Sequence, residues 1–483
     1  MAIGEAGLGS ARRGARPKRL EATMRGRLGR ECVYVPSCRF GLFVALRHWC
    51  PPGGRVLMSP VNDDVIFFVV LAAGLRPVQA PLNPLDASID IDAVPDDVWD
   101  SLSAVLTTNL YGNPDDAPRL REKCDAKGIP LFEDGAHAIG SEVGGRPVGT
   151  WGDASVFSLS KHVGAKAGGF LTCADPGLRE ALEKAGEDLL LPGRLGAELA
   201  FTLRPYAEAA VRGLRLRSAT WAAMRLLGLT EREEIRMPLR ADELARAVDT
   251  APDLTAHDSW VRVDMHDYRL RSGPLRLGRI ERKLDRLDEV LDACRAGTRL
   301  LRSTPWARPG PPPDARPDPG APADAPTSHH TGTGTSTSAG AGIGTGTGTR
   351  TGAATGSRSG AATGTRSGAA TGSRAGSRPG SPAGGAQGVQ PLFRVPLFVA
   401  DRDAAIAALA RRGIVVGYLY DPPLDDYAGA AFTDPSPDPA GARWFARHAL
   451  PVDPLRARRV VDVLQESGVR PAEAPGGLEP TRG

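Results

Sequence analysis

The chain has 483 residues, 60 Lys and Arg against 56 Asp and Glu, and a formal net charge of +4. That length can bury one large α/β core plus a smaller domain. The small basic excess carries no functional message, because a low-complexity stretch supplies several arginines without acidic neighbours. No apolar run of about 18 residues occurs, which excludes a membrane-spanning helix. Six cysteines (Cys32, Cys38, Cys50, Cys124, Cys173, Cys294) show no CxxC pair and no nearby His at metal spacing. They read as reduced, mostly buried thiols of a cytoplasmic protein, with no metal site.

Residues 1–30 are rich in Arg and Gly and lack the apolar core of a secretory signal. They read as a disordered basic leader rather than a nucleic-acid contact. From residue 31 to about 258 a large α/β domain is expected. Short apolar runs at 55–58, 76–80, 104–109, 130–133, 155–159 and 169–173 read as strands, with helices at 41–49, 64–73 and 114–127. This alternation predicts a mainly parallel sheet covered by helices on both faces. Residues 178–256 turn helical.

Residues 259–302 and 389–472 are expected to form a small α+β domain. Its first part is a long amphipathic helix over 275–301, with Leu277, Ile280, Leu284, Leu287, Val290 and Leu291 at helical spacing. Its second part holds a strand at 391–399, a helix at 401–412, a strand at 414–420 and a helix at 455–466. Between them, residues 303–388 are Pro, Gly, Thr, Ser, Ala and Arg. An octad beginning Gly-Ala-Ala-Thr-Gly recurs from Gly352, Gly360 and Gly368. Such a segment cannot offset its ordering entropy and is expected to be disordered, as is the tail 473–483.

The chemistry lies between Phe132 and Gly169. Asp134 ends a hydrophobic strand, and Lys161 follows one βα unit later, just ahead of Gly168-Gly169. An imine-forming Lys and an Asp that pairs with a pyridinium nitrogen are what pyridoxal phosphate (PLP) requires. An Asp–pyridinium pair at ~4 Å and an effective dielectric near 20 is worth about 4 kcal/mol. That amounts to roughly three pKa units, enough to keep the ring nitrogen protonated. Of seven lysines, only Lys161 and Lys166 lie in this strand-exit loop, and the Ser-Leu-Ser-Lys context favours Lys161. Ser37, Cys38 and Arg39 precede a helix whose N–H groups and dipole suit a phosphate dianion. Ser158 can add a hydroxyl. Neither a dinucleotide nor a P-loop fingerprint is present.

These residues carry a resemblance to the DegT/StrS-type aminotransferases, PLP enzymes of fold type I. Ser37–Leu46 resembles the family's phosphate loop and helix, and Thr108-Asn-Leu-Tyr-Gly112 its "HLYG" strand end. Glu133-Asp-Gly-Ala-His-Ala-Ile-Gly140 resembles "EDAAQAxG", and Phe157-Ser158 to Gly168-Gly169 the lysine motif. His266-Asp-Tyr-Arg269 resembles "YNYR", and Tyr418–Leu424 with Leu450–Asp453 the C-terminal motifs.

The resemblance implies that Lys161 is the Schiff-base lysine and proton shuttle, and that Asp134 is the ring-nitrogen partner. It places His137 near the ring oxygen and makes Ser158 a phosphate ligand, with Ser160 as its replacement because the Ser-to-Lys spacing is short. Tyr268 and Arg269 would complete the cofactor site of a partner subunit, which implies a homodimer. Asn62-Asp63, Asp267 and Asp425 depart from the family pattern. The expected function is an aminotransferase that aminates a keto group, plausibly of a nucleotide-linked sugar or cyclitol, by ping-pong kinetics with glutamate or glutamine as donor. Its rivals are elimination or dehydration on the same fold and a non-catalytic homologue. Lys161 speaks against dehydratases that carry His in its place.

Overall fold

The computed structural model describes residues 4–203, 235–262, 268–309 and 388–475, with side chains from residue 16 onward. The octad repeats, most of the expected insert, Asp267 and residues 476–483 lie outside the described residues.

The leader is the first departure from expectation, because Gly4–Leu28 forms helix α1. Leu20 and Met24, one turn apart, are buried against Cys32, Phe157 and Ile280. Arg27 pairs with Asp288 at 2.7 Å and Arg19 with Glu281 at 3.0 Å. The Arg-Gly composition hid this short apolar stripe, whose partners come from far along the chain.

The main sheet follows the expected alternation. Its strands are β1 (Glu31–Val35), β2 (Arg55–Met58), β3 (Arg76–Gln79), β4 (Ala104–Thr107) and β5 (Leu131–Asp134). After a small ribbon of β6 (Glu142–Val143) and β7 (Arg146–Pro147) come β8 (Ala154–Ser158) and β9 (Gly169–Cys173). Seven strands lie in the order β1-β9-β8-β5-β4-β2-β3. The run from β3 to β8 is parallel, and β9 is antiparallel to both its neighbours.

Strands buried on both faces read as continuous apolar runs, which is why the sequence exposed them. Between β1 and β2 runs α2 (Cys38–Trp49), and between β2 and β3 runs α3 (Asp64–Ala72). Every residue of α3 is buried, as a helix apolar on all faces must be. Its one acid, Asp64, accepts the Met237 N–H at 2.7 Å. α4 (Asp96–Ser101) and β1 were absent from the sequence reading, whereas α5 (Ala117–Lys127) matches it closely. α6 (Arg179–Leu189) opens the expected helical stretch, which breaks after Leu189 and is helical again at residues 195–203 and Ala241–Asp249, with residues 204–234 outside the described residues.

The expected 275–301 helix is two helices, Pro274–Leu284 and Leu287–Arg302, broken at Asp285–Arg286. Residues 303–309, assigned to the insert, belong to the packed body. Trp306 is buried and its indole N–H donates to the Val469 carbonyl at 2.8 Å. β10 (Val395–Phe398) pairs antiparallel with β11 (Ala449–Val452). Residues 414–420, expected as a strand, pair with no strand among the described residues and carry Tyr418 and Tyr420 into the site without regular structure.

The parallel strands end at one edge, where Asn62, Thr108, Asp134 and Ser158 follow or close β2, β4, β5 and β8. This is where open α/β sheets bind ligands. Gly169 brings the N-terminus of α2 onto that edge. A Cβ there would lie 2.5 Å from the Phe157 carbonyl oxygen and 2.9 Å from the Cys38 nitrogen, both backbone atoms that cannot yield. Gly169→Ala is therefore expected to cost about 2–4 kcal/mol. Chemical denaturation would show it, and a loss below about 0.5 kcal/mol would refute the close approach.

Candidate active site

A cleft of about 370 Å³ opens at the carboxyl edge of the sheet. Ser37, Cys38, Arg39, Asp134, His137, Ser158, Ser160, Lys161 and Tyr268 all line it. Of the residues expected at the site, Arg269 alone does not.

Asp134 closes β5 and is buried. One carboxylate oxygen accepts the Ala136 N–H at 2.9 Å and faces the Cys38 Sγ at 3.8 Å. Burial pushes its carboxyl up to about 6, an effect opposed by the Ala136 N–H and the Lys161 charge and reinforced by Asp63. Its neighbour Glu133 points the other way, as strand alternation requires. It is buried and accepts the N–H groups of Gly149, Trp151 and Gly152 at 2.6–2.8 Å. The Glu-Asp pair thus divides into a residue that locks a loop and a residue that faces the cleft.

Lys161 follows β8, with Nζ 4.1 Å from the Tyr418 ring centroid and 5.7 Å from that of Phe393. Lys166 also lines the cleft. Lys161 is the lysine whose charge acts on both Asp134 and His137, whereas Lys166 acts on Lys283. Ser158 and Ser160 share a hydrogen bond at 2.7 Å, so both hydroxyls sit at one place and the choice between them dissolves into a pair.

His137 sits in a column of rings. Phe393 stacks on it at 4.9 Å, Tyr111 at 6.2 Å, and Tyr420 on Tyr111 at 5.9 Å. Burial, then the Lys161 charge, hold its imidazole well below its ordinary value. It is therefore neutral at pH 7, a hydrogen-bonding group rather than a cation.

At the other end, Ser37 caps α2. Its Oγ accepts the Phe40 N–H at 3.2 Å and donates to the Tyr268 carbonyl at 3.1 Å. Arg39 lies 5.4 Å from the Tyr268 ring. Tyr268 is thus buried in the cleft of its own chain. Arg269 stands outside, 3.9 Å from Asp258. Of the departures, Asp63 lines the cleft and caps α3, accepting the Val65 N–H at 3.2 Å. Asn62 donates to Thr108 Oγ1 at 3.0 Å. Asp425 is buried in a short helix away from the cleft.

Sequence reasoning missed Phe393, the cleft-lining role of Tyr418 and Tyr420, and Arg276. Tyr418 adopts a φ of +65° where the chain turns into the site, a feature that only the structure shows.

Two observations test whether the cleft fits PLP. Asp134 is a buried carboxylate with no cation hydrogen-bonded to it among the described residues, the complement of a protonated ring nitrogen. Ser37, Cys38 and Arg39 line the cleft at the start of α2, where the first N–H groups and the helix dipole suit a phosphate dianion. The residues fit the group.

Residues 6–188 match the model of the DegT/DnrJ/EryC1/StrS aminotransferase family. An L-glutamine:2-deoxy-scyllo-inosose aminotransferase from Streptomyces kanamyceticus is 33% identical over 160 residues, 32% of this chain and 38% of that protein. A UDP-N-acetyl-3-dehydro-alpha-D-glucosamine 3-aminotransferase from Acidithiobacillus ferrooxidans is 30% identical over 236 residues, 45% of this chain and 63% of its own length. A GDP-4-keto-6-deoxy-D-mannose 3-dehydratase from Yersinia pseudotuberculosis is 26% identical over 132 residues, 27% of this chain and 34% of its own. The chain thus spans from about a third to under two thirds of the length of these relatives. The solved aminotransferase TlmJ from Streptoalloteichus hindustanus superposes with a TM-score of 0.55 at 19% identity, covering 96% of both chains. The mixed α/β fold with a mostly parallel sheet is shared with that solved structure.

Proposed function

We propose, from the match of residues 6–188 to the DegT/DnrJ/EryC1/StrS aminotransferase family model, that the chain is a PLP-dependent aminotransferase. Its substrate would be a keto group on a nucleotide-linked sugar or a cyclitol, with glutamate or glutamine as donor. The observation that carries this reading is one cleft holding Lys161, the buried Asp134 and the N-terminus of α2. The substrate class draws on the named activities of the relatives, which act on such ketones.

When bound, PLP supplies an aldehyde that condenses with amines and a ring that takes up the electron pair freed at the neighbouring carbon. Lys161 Nζ supplies the resting enzyme's amine. Its free amine would also be the base that takes a proton from the donor carbon and returns it nearby. Asp134, which closes β5, would hold the ring-nitrogen proton. The N–H groups at Ser37–Arg39 and the Ser158–Ser160 pair bind the phosphate and orient the cofactor. Neutral His137 offers a hydrogen bond to the ring oxygen without adding a charge. The second half runs these proton movements in reverse on the ketone, which gives ping-pong kinetics.

We also propose a homodimer. Leu195, Leu199 and Leu203, at one-turn spacing and 55–85% exposed, support it. Light scattering at micromolar concentration should give twice the chain mass, and a fully active monomer would contradict it.

Dehydration on the same fold is the second reading, favoured by the 26% match to the mannose dehydratase. Purified protein incubated with PLP should gain visible absorbance that borohydride bleaches. It should then move labelled nitrogen from glutamate or glutamine to a member of a keto-sugar and inosose panel. Cofactor uptake with loss of water and no nitrogen transfer would give the site to the second reading. Protein that stays colourless would sink both.

A further inference from the structure

Arg276 is 2% exposed and lines the same cleft, although no sequence signal marked it. It enters from the helix Pro274–Leu284, whose approach segment lies against the α2 end of the cleft. The Tyr268 carbonyl accepts Ser37 Oγ at 3.1 Å. The Tyr34 hydroxyl is 3.0 Å from Ser272 Oγ and 3.0 Å from where a Cβ on Gly168 would sit. Arg276, one turn beyond Ser272, acts electrostatically on that same hydroxyl.

A buried guanidinium normally spends its donors on acceptors around it. Here Glu198 balances the charge, 3.4 Å from Nε, without completing the hydrogen bonding. Its carboxylate oxygens are committed to the helix start, accepting the Gly273 and Arg276 N–H groups at 3.0 Å each. The Arg276 Nε meets no hydrogen-bond acceptor among the described residues. The Phe201 ring, 4.9 Å away, covers part of the group but accepts no strong hydrogen bond.

A planar, always-charged donor fork, buried at the end of a cleft beside a helix N-terminus, is suited to a phosphate dianion. We infer that Arg276 is a phosphate ligand of this site, supplied by the chain's own helix Pro274–Leu284. The inference rests on the PLP reading for the identity of the phosphate-bearing group. Glu198 then acts as a counter-charge that holds the guanidinium in place in the free protein.

Titrating cofactor-free protein with PLP and, separately, with pyridoxal, which lacks the phosphate, tests this by absorbance. Arg276→Gln should weaken PLP about 10- to 100-fold and leave pyridoxal within about twofold. Arg276→Lys should recover part of the loss. Because a single change strands the buried Glu198, the double variant E198Q/R276M serves as a folded control and should show the same selective loss. Equal weakening of both ligands, or PLP binding within about twofold of wild type in the single and double variants, overturns the inference and leaves the proposed function standing. Wild-type protein that refuses PLP but binds inorganic phosphate through Arg276 strikes the function and keeps the phosphate site. Wild-type protein that binds neither overturns both.

Discussion

Lys161→Ala protein is expected to lose nitrogen transfer by about 10⁴-fold and to yield no borohydride-trapped cofactor adduct. Two proposed roles would vanish together: the amine that anchors the cofactor's aldehyde, and the base that moves the proton. Loss of a proton-transfer group accounts for about 10²–10⁴ by itself, so removing both should exceed most single-residue effects. Alanine also leaves Tyr418 and Phe393 without the ammonium they flank. Lys166→Ala provides the contrast. Its positive charge lies toward Lys283, and the variant should keep both adduct and visible absorbance. Mass spectrometry of the reduced protein decides between them, and an adduct on Lys166 would reverse the assignment.

Asp134→Asn is the second large effect, with opposite signs on activity and on the stability of the free protein. The buried pair proposed between it and a ring nitrogen, about 4 kcal/mol at an effective dielectric of 20, would disappear. Nitrogen transfer should fall about 10²- to 10³-fold. In the cofactor-free protein the same carboxylate is a burden. Its folded value of about 6 lies above the unfolded 3.8. Its favourable contribution is therefore complete below 3.8 and lost as pH rises through 6. At pH 8 the ionised group costs about 3 kcal/mol, and Asn removes that cost while accepting the same Ala136 N–H. Urea denaturation of free wild type and variant should show a more stable variant at pH 8 and convergence below pH 4. A variant that is less stable at pH 8 would refute the cost of the buried carboxylate, and one that keeps activity within about tenfold would show that Asp134 is not the ring-nitrogen partner.

How much of this was legible depends on the range of the interaction. The strands at 55–58 and 169–173 were read to the residue, because burial on both sheet faces leaves an uninterrupted apolar run. The end of each such strand, followed by a polar residue, announced Asp134, Ser158 and Lys161. The break at Asp285–Arg286 was not legible, since the apolar spacing runs through it. Helix α1 escaped because two buried residues among arginines make no pattern until Ile280 and Phe157 come against them. The segment 414–420 has the composition of a strand, but the chain needs it as a wall of the cleft, and its partners are rings rather than a strand edge.

The sequence by itself determined the sheet, the edge at which the site lies, and the acid and the lysine that face it. Those follow from local alternation and from residue types whose chemistry is specific. Tertiary structure decided what surrounds them: Phe393 on His137, Tyr418 over Lys161, Ser37 joined to Tyr268, and Arg276 beside its counter-charge Glu198. Each of these contacts joins segments from about 80 to more than 250 residues apart. Nothing in a local pattern encodes which side chain will meet across such a distance, because that is settled by how helices and loops pack against the finished sheet.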